Sequence, residues 1–162
     1  MKTLYLIRHG KAEEFSFLKN DYDRNLIKKG MERSNCIAEK LKQHLNDNQK
    51  TIVISSTANR AIQTAEIFCD SINFPIKNIQ MEKSIYEAPY QQILQILNTV
   101  PDDIEIVLIF GHNPGLSTLT NYLCNSYIEL KTAHVAKITL ENGFNFKEVS
   151  GGTCYLDGVI TE

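Results

Sequence analysis

The sequence has no tryptophan, only four prolines and no long apolar run among its 162 residues. Its first apolar run, Leu4–Ile7, is shorter than the roughly 7–15 residues of a secretory signal core. No run approaches the ~18 apolar residues that a membrane span requires. The sequence therefore predicts neither a secretory leader nor a membrane segment, and we expect a cytoplasmic protein.

Cysteine is scarce and widely spaced, at Cys36, Cys69, Cys124 and Cys154. None of the four forms the C-x-x-C pair that is typical of zinc sites and redox motifs. Three of them fall within helix-like apolar patterns, which predicts small buried side chains rather than metal ligands. Reduced thiols also fit a cytoplasmic location.

An excess of one charge is also absent, because 17 basic and 19 acidic residues give a formal net charge of −2. This balance argues against a broad nucleic-acid-binding surface and against a polybasic membrane patch. It still leaves room for a small cationic pocket. The length fits a single domain over residues 1–162, and nothing in the sequence requires more than a monomer.

Strand-like and helix-like hydrophobic patterns alternate along the chain. Short apolar runs predict buried strands at Thr3–Ile7, Thr51–Ser55 and Ile104–Phe110. A period near 3.6 residues predicts helices at Gly30–Leu45, Ala58–Ile72, Pro89–Leu97 and Pro114–Leu123. Two more strands are expected at Ala136–Leu140 and Thr153–Val159, joined by a turn region at Glu141–Phe146. The order predicts a three-layer α/β/α sandwich whose mostly parallel sheet ends in an antiparallel pair.

Chemically active side chains follow the ends of all three predicted strands. Arg8 and His9 come directly after the first strand, and His112 follows the third. Arg60 lies in the first turn of the helix after the second strand. Ligands of open α/β sheets gather at the carboxyl ends of the strands. We therefore expect the four side chains to share one cationic edge of the sheet.

This set of side chains suits phosphoryl chemistry. Arginine forks match phosphate oxygens, and a neutral imidazole such as His9 can attack phosphorus in line. Gly10 would let a ligand approach the backbone closely, and Asn113 is predicted to cap a helix whose free N–H groups attract anions. The chain lacks G-x-x-x-x-G-K-[ST], which argues against a nucleotide-triphosphate cradle. A metal site on His9 and His112 would lack further ligands.

Five ordered blocks of the sequence resemble the histidine phosphatase superfamily, which includes the cofactor-dependent phosphoglycerate mutases. The similarity is greatest to its small SixA-type phosphohistidine phosphatase branch. The blocks read LIRHGKA from Leu6, D-x-x-R-x-L-x-x-x-G from Asp21, STANRA-x-QTA from Ser56, IYEA from Ile85 and GHNPGLS from Gly111. Asn25, Ile27 and Thr57 depart from the branch pattern, which has proline, threonine and proline there.

The resemblance implies a phosphoglycerate mutase-like fold and a role for each matching residue. The residue matching His9 becomes phosphorylated, and those matching Arg8, Arg60 and His112 bind the phosphoryl oxygens. The residue matching Arg24, in the predicted loop Glu13–Asn25, also points toward the phosphate. The family uses no metal, and we expect no cofactor in this protein.

A proton donor for the leaving group is harder to identify from the sequence. Larger relatives supply this acid from an insertion that the present chain is too short to hold. Among the remaining carboxylates, Glu87 is the nearest candidate and Glu82 a weaker one. Without an acid, substrates with a good leaving group are favoured, and phosphohistidine is one.

Three functions remain open at the level of the sequence. The first is a phosphatase for phosphohistidine on a protein, for example a histidine phosphotransfer domain, because few insertions would leave an open site. The second is a phosphatase of small phosphate esters. The third is a phosphate-binding module without catalysis, which the presence of both histidines and both core arginines disfavours.

Overall fold

The computed structural model describes all residues from Met1 to Glu162. Six strands alternate with four helices for most of the chain. The strands are β1 (Thr3–Arg8), β2 (Thr51–Ser55), β3 (Gln80–Met81), β4 (Ile106–Gly111), β5 (Val135–Leu140) and β6 (Cys154–Ile160). The helices are α1 (Lys28–Lys42), α2 (Asn59–Ser71), α3 (Tyr90–Leu97) and α4 (Gly115–Cys124).

The strands form one sheet in the order β3-β2-β4-β1-β5-β6. The first four strands in that order pair in parallel, while β5 runs antiparallel to both β1 and β6. The mostly parallel sheet with an antiparallel end is thus confirmed. The central strand β4 lies between β1 and β2, so the carboxyl ends of these three strands are neighbours.

Helices cover both faces of the sheet. Successive residues of a strand point to opposite faces, so each central strand contributes side chains to two separate cores. Leu4 and Leu6 of β1 belong to the core that α3 and α4 cover. Tyr5 and Ile7 of the same strand belong to the core that α1 and α2 cover. This explains why β1 and β4 read as continuous apolar runs rather than alternating ones.

The predicted elements are all present, and no end differs from the prediction by more than three residues. The sequence did not predict β3, a two-residue edge strand whose Gln80 and Met81 are both exposed and lack an apolar pattern. One prediction about cysteine is wrong: Cys36 is exposed on α1, whereas Cys69 and Cys154 are buried. Cys36 lies beside Ile37, outside the stripe of α1 that packs on the sheet.

The segment 13–25, predicted as a loop, is held in place at both ends. Ala12 and Leu26 form an antiparallel bridge, and Ser16 and Lys19 form another that closes a tight turn. A single 3₁₀ turn at Asp21–Asp23 then leads toward α1. None of the four helices has the length and apolar character needed to cross a membrane.

Candidate active site

Three adjacent strand ends bring the predicted site residues together. Beyond β1, the His9 amide donates to the Gly111 carbonyl of β4 over 3.0 Å. Beyond β2, the Ser56 amide donates to the Phe110 carbonyl over 3.0 Å. The imidazole rings of His9 and His112 consequently lie 5.2 Å apart, between their centroids.

His9 is held in one tautomer. Its Nδ1 lies 2.7 Å from the Gly10 carbonyl oxygen, which can only accept, so Nδ1 carries the proton and Nε2 presents its lone pair. Burial, together with the nearby charges of Arg60, Arg8 and Arg24, lowers the pKa of His9 to about 4. The ring is therefore neutral at physiological pH, as a nucleophile must be.

His112 uses the opposite ring nitrogen for its own hydrogen bond. Its Nε2 lies 2.8 Å from Ser56 Oγ, and this ring nitrogen is the acceptor within reach of the Ser56 hydroxyl hydrogen, so the hydroxyl donates to Nε2. This arrangement leaves Nδ1 to carry the ring proton. Burial first, and the neighbouring His9 and Arg60 next, lower the pKa of His112 to about 3, so the ring is a neutral donor.

Three buried nitrogens around the histidines have no partner within the protein. They are Nε of Arg8, Nε of Arg60 and Nδ1 of His112. A buried N–H without an acceptor is costly, and native proteins satisfy nearly all such groups. Two arginines and a neutral histidine with free donors at one place suit an anion that offers several oxygens, such as a phosphoryl group.

Arg24 and Arg60 meet at a carboxylate that sequence reasoning did not single out. Asp21 Oδ1 accepts from Arg24 Nε over 3.0 Å, and Asp21 Oδ2 accepts from Arg60 Nη2 over 2.9 Å. The Tyr86 hydroxyl donates to Oδ2 as well, over 2.6 Å. The Tyr86 ring also packs edge-on against His112, with centroids 5.5 Å apart. Asp21 and Tyr86 both lie within the sequence blocks that resemble the family, but the sequence pattern assigned neither of them a role.

Gly10 and Asn113 were expected to approach the phosphate, but their polar groups make hydrogen bonds to other residues of the protein. The Gly10 amide donates to Thr64 Oγ1 over 2.8 Å, and a Cβ at Gly10 would lie 2.5 Å from Ser34 Oγ. Asn113 Oδ1 accepts from the amide and hydroxyl of Ser117, and its Nδ2 donates to the Leu130 carbonyl. The N-cap of α4 is Pro114, one residue after the predicted Asn113. The close approach at Gly10 is thus to α1.

The two candidate proton donors lie apart from these contacts. Glu87 is exposed, has a positive φ of 54° and makes no hydrogen bond or ion pair. Glu82 is half-buried and accepts from Ser84 over 2.9 Å. An acid role for Glu87 therefore stays a prediction. No three His, Cys, Asp or Glu side chains gather in a way that could hold a metal ion.

The fold and this cluster of side chains define an α/β protein with a cationic sheet edge built around two neutral histidines. The sequence profile of the histidine phosphatase superfamily (branch 1) matches residues 4–99, more than half of the chain. The chain belongs to this superfamily. His112 lies beyond the matched residues, and the structure places it beside His9. No curated protein sequence matches the chain closely enough to count as a relative.

Solved structures of low sequence identity share the whole fold. The SixA structure from Agrobacterium tumefaciens superposes with a TM-score of 0.79 at 19% identity, covering 99% of this chain and 98% of that one. A protein histidine phosphatase SixA complexed with tungstate gives 0.80 at 22%, covering 98% and 96%. A mycobacterial glucosyl-3-phosphoglycerate phosphatase gives 0.71 at 13%, covering 99% of both chains.

Proposed function

We propose that this protein is a phosphohistidine phosphatase that acts on a phosphorylated protein through a covalent intermediate on His9. The observation that carries the proposal is the lone pair of His9 Nε2, set among unpaired buried donors of Arg8, Arg60 and His112. Such donors stabilise the charge on the equatorial oxygens of a phosphoryl group in transfer. Superfamily membership supports the same chemistry.

The first step transfers the phosphoryl group to His9. The Nε2 lone pair forms a bond to phosphorus while the P–N bond of the substrate breaks. The other ring nitrogen of the substrate imidazole carries a proton, so this imidazole leaves as a neutral molecule. Nδ1 of His9 keeps its own proton on the Gly10 carbonyl, and that hydrogen bond stabilises the positive charge that develops on the ring.

The second step returns the enzyme to its starting state. A water oxygen forms a bond to phosphorus as the bond from His9 Nε2 to phosphorus breaks, and the electron pair returns to Nε2. Both protons of the water leave with the product as dihydrogen phosphate. Neither step needs a metal ion or an external acid, and we propose that the enzyme uses none, acting as a cytoplasmic monomer.

The titratable groups near the histidines support a substrate with a good leaving group. Burial raises the pKa of Asp21, but hydrogen bonds from Tyr86, Arg60 and Arg24 outweigh it and hold the pKa at about 2. Burial and the bond to Asp21 raise the pKa of Tyr86 to about 12. The first group is already ionised at neutral pH and the second is a weak acid, so neither matches the pKa that general acid catalysis needs.

The rim of the site supports a protein substrate. The turn between Ser16 and Lys19 carries Phe17 and Leu18 at its tip, where they are 99% and 97% exposed. Turn tips usually carry glycine, asparagine or other polar residues, so a bare apolar tip suggests contact with another surface. The same segment continues into Asp21 and Arg24, which places the tip on the chain that borders the site.

A phosphatase of small phosphate esters is the second candidate. The observation that favours it is the shared fold of the mycobacterial glucosyl-3-phosphoglycerate phosphatase, although the identity of 13% carries the fold alone. Such a substrate releases an alkoxide, which needs a proton donor. Glu87 would have to supply that proton in this case.

One experiment tests the central proposal. The protein is incubated with a protein carrying labelled phosphohistidine, quenched, and assayed for acid-labile phosphate on its own chain, in the presence of a metal chelator. We expect labelling and release of phosphate by the wild type and by His44→Ala, which removes an exposed histidine. His9→Ala should show neither. Full activity of His9→Ala, or faster hydrolysis of sugar phosphates than of phosphohistidine, would overturn the proposal.

A further inference from the structure

Asp21 joins the two arginines that flank the candidate nucleophile. Its backbone carbonyl accepts from Arg60 Nη1 over 2.6 Å, and its Oδ2 accepts from Arg60 Nη2 over 2.9 Å. One residue therefore holds both outer nitrogens of a guanidinium group whose side chain is only 5% exposed. The Nε of Arg60 and the second hydrogen of each outer nitrogen remain free.

The same carboxylate fixes Arg24 from the other side. Oδ1 accepts from Arg24 Nε over 3.0 Å and lies 2.8 Å from Nη2 in an ion pair. The remaining outer nitrogen, Nη1, donates to the Glu13 carbonyl over 2.6 Å. Charge-assisted bonds at two different nitrogens of one guanidinium group restrict the orientation of its plane.

A hydroxyl completes the hydrogen bonding of Asp21. Tyr86 donates to Oδ2 over 2.6 Å, while its ring packs edge-on against both His112 and Tyr22. The carboxylate is thereby tied to the wall of the site that carries the second histidine. Hydrogen bonds to both oxygens fix the orientation of the carboxylate. Its low pKa keeps it ionised, so it cannot act as a proton donor at neutral pH.

We propose that Asp21 is the positioning residue of this site: it orients the guanidinium groups of Arg24 and Arg60 so that their remaining N–H groups meet the transferring phosphoryl group. Asp21 itself touches neither phosphorus nor the leaving group. The proposal rests on the proposed function, because it assigns Arg24 and Arg60 to phosphoryl binding.

The variants Asp21→Ala and Asp21→Asn test the proposal, with Asp23→Asn as the matched control. Asp23 lies in the same 3₁₀ turn, but its side chain is exposed and makes no hydrogen bond. With a phosphohistidine protein as substrate, we expect kcat to fall about 10²-fold in Asp21→Ala and less in Asp21→Asn, which keeps one acceptor oxygen. Asp23→Asn should stay within about twofold of the wild type.

Two readouts separate positioning from a merely structural role. In a double-mutant cycle, Asp21→Ala should cost markedly less once Arg60→Ala is present, because only Arg24 is then left for Asp21 to orient. Inorganic phosphate, measured as a competitive inhibitor and by calorimetry, should bind about tenfold more weakly to Asp21→Ala and Asp21→Asn. Asp21→Asn carries the test if Asp21→Ala does not fold.

Tighter phosphate binding in these variants would overturn the proposal, because Asp21 would then compete with the phosphate for the arginines. Fully additive losses in the double-mutant cycle would overturn it as well. Failure of the proposed function looks different. In that case the wild type itself leaves phosphohistidine unhydrolysed and His9 unlabelled, while phosphate calorimetry still reports on Asp21.

Discussion

His9 and His112 are the same residue type with opposite free nitrogens. The Gly10 carbonyl fixes the proton of His9 on Nδ1, whereas Ser56 engages Nε2 of His112. One ring therefore presents a lone pair and the other an N–H group. Two neutral imidazoles thus offer different groups, a candidate nucleophile and a hydrogen-bond donor. The difference depends on one hydrogen bond for each ring, to the Gly10 carbonyl and to the Ser56 hydroxyl.

The pH profile of catalysis should follow the low pKa of His9. With that pKa at about 4, the ring stays neutral as the pH falls from 8 to 5, and protonation removes the nucleophile only below that range. We expect kcat/KM, corrected for spontaneous hydrolysis of the substrate, to show no acidic limb above pH 5 and to fall as the pH approaches 4. An acidic limb centred near pH 6.5 would contradict this expectation.

At the scale of elements, the close packing of α1 against the segment after β1 positions the site. Gly30 in the first turn of α1 faces the Lys11 backbone, where an added Cβ would lie 2.0 Å from the carbonyl oxygen. Ser34, one turn later, fills the space beside Gly10. The glycines of the R-H-G and D-x-x-R-x-L-x-x-x-G blocks thus serve one contact, which holds His9 against the first long helix.

Gly30→Ala should destabilise the protein although it replaces glycine by a better helix former. Glycine to alanine in a helix ordinarily raises stability by about 0.5–1 kcal/mol. Here the methyl group meets backbone that cannot move aside cheaply, and we expect a net loss of about 2 kcal/mol or more in the free energy of unfolding. Denaturant titration measures this, with Asn35→Ala at an exposed position of α1 as the control. An unchanged or higher midpoint would refute the steric argument.

The apolar turn tip should matter for a protein substrate and not for a small one. We expect Phe17→Ser combined with Leu18→Ser to raise KM for a phosphohistidine protein about tenfold or more, because fully burying one such side chain contributes about 1.5–3 kcal/mol. The rate with a small phosphoramidate should stay unchanged. Tyr155→Ser is the control: this exposed aromatic pairs in register through Thr139 with Thr3, at the opposite end of the sheet. Equal effects on both substrates would exclude a docking role.

At the scale of the whole molecule, the sheet separates two hydrophobic cores, one on each face. The site histidines at the carboxyl ends of β1 and β4 are buried too, with 9% of His9 and 7% of His112 exposed. Burial explains most of their lowered pKa values, so the global stability of the fold and the protonation of its site are linked.

Stability should therefore fall as the pH drops below 6.5. The folded-state pKa values of His9 and His112 lie below the ordinary value of 6.5, so the unfolded chain binds protons first and acid favours unfolding. His9 alone accounts for about 3 kcal/mol between pH 6.5 and 4, after which its contribution levels off. Denaturant titrations at a series of pH values test this, and His9→Asn should show a shallower decline. A decline of equal slope in that variant would contradict the assignment.

The sequence by itself determined the layout of the fold and the strand ends at which the candidate site lies. Apolar runs such as Ile104–Phe110 and helical periods are local patterns, each readable within a window of its own length. The position of Arg8, His9 and His112 after such runs placed them at one edge, since parallel strands end on the same side of a sheet. The short strand β3 escaped prediction because its two exposed residues carry no such pattern.

Tertiary structure alone decided which side chains hold the site in shape. Asp21 and Tyr86 are 65 residues apart, and their contact depends on how a 3₁₀ turn and a connection on the far side of β4 come together. Gly10, expected to face a ligand, instead makes room for Ser34 of α1. The physical reason is that local sequence fixes where a residue lies along its element, whereas the partner of each polar group is fixed by the packing of elements distant in sequence.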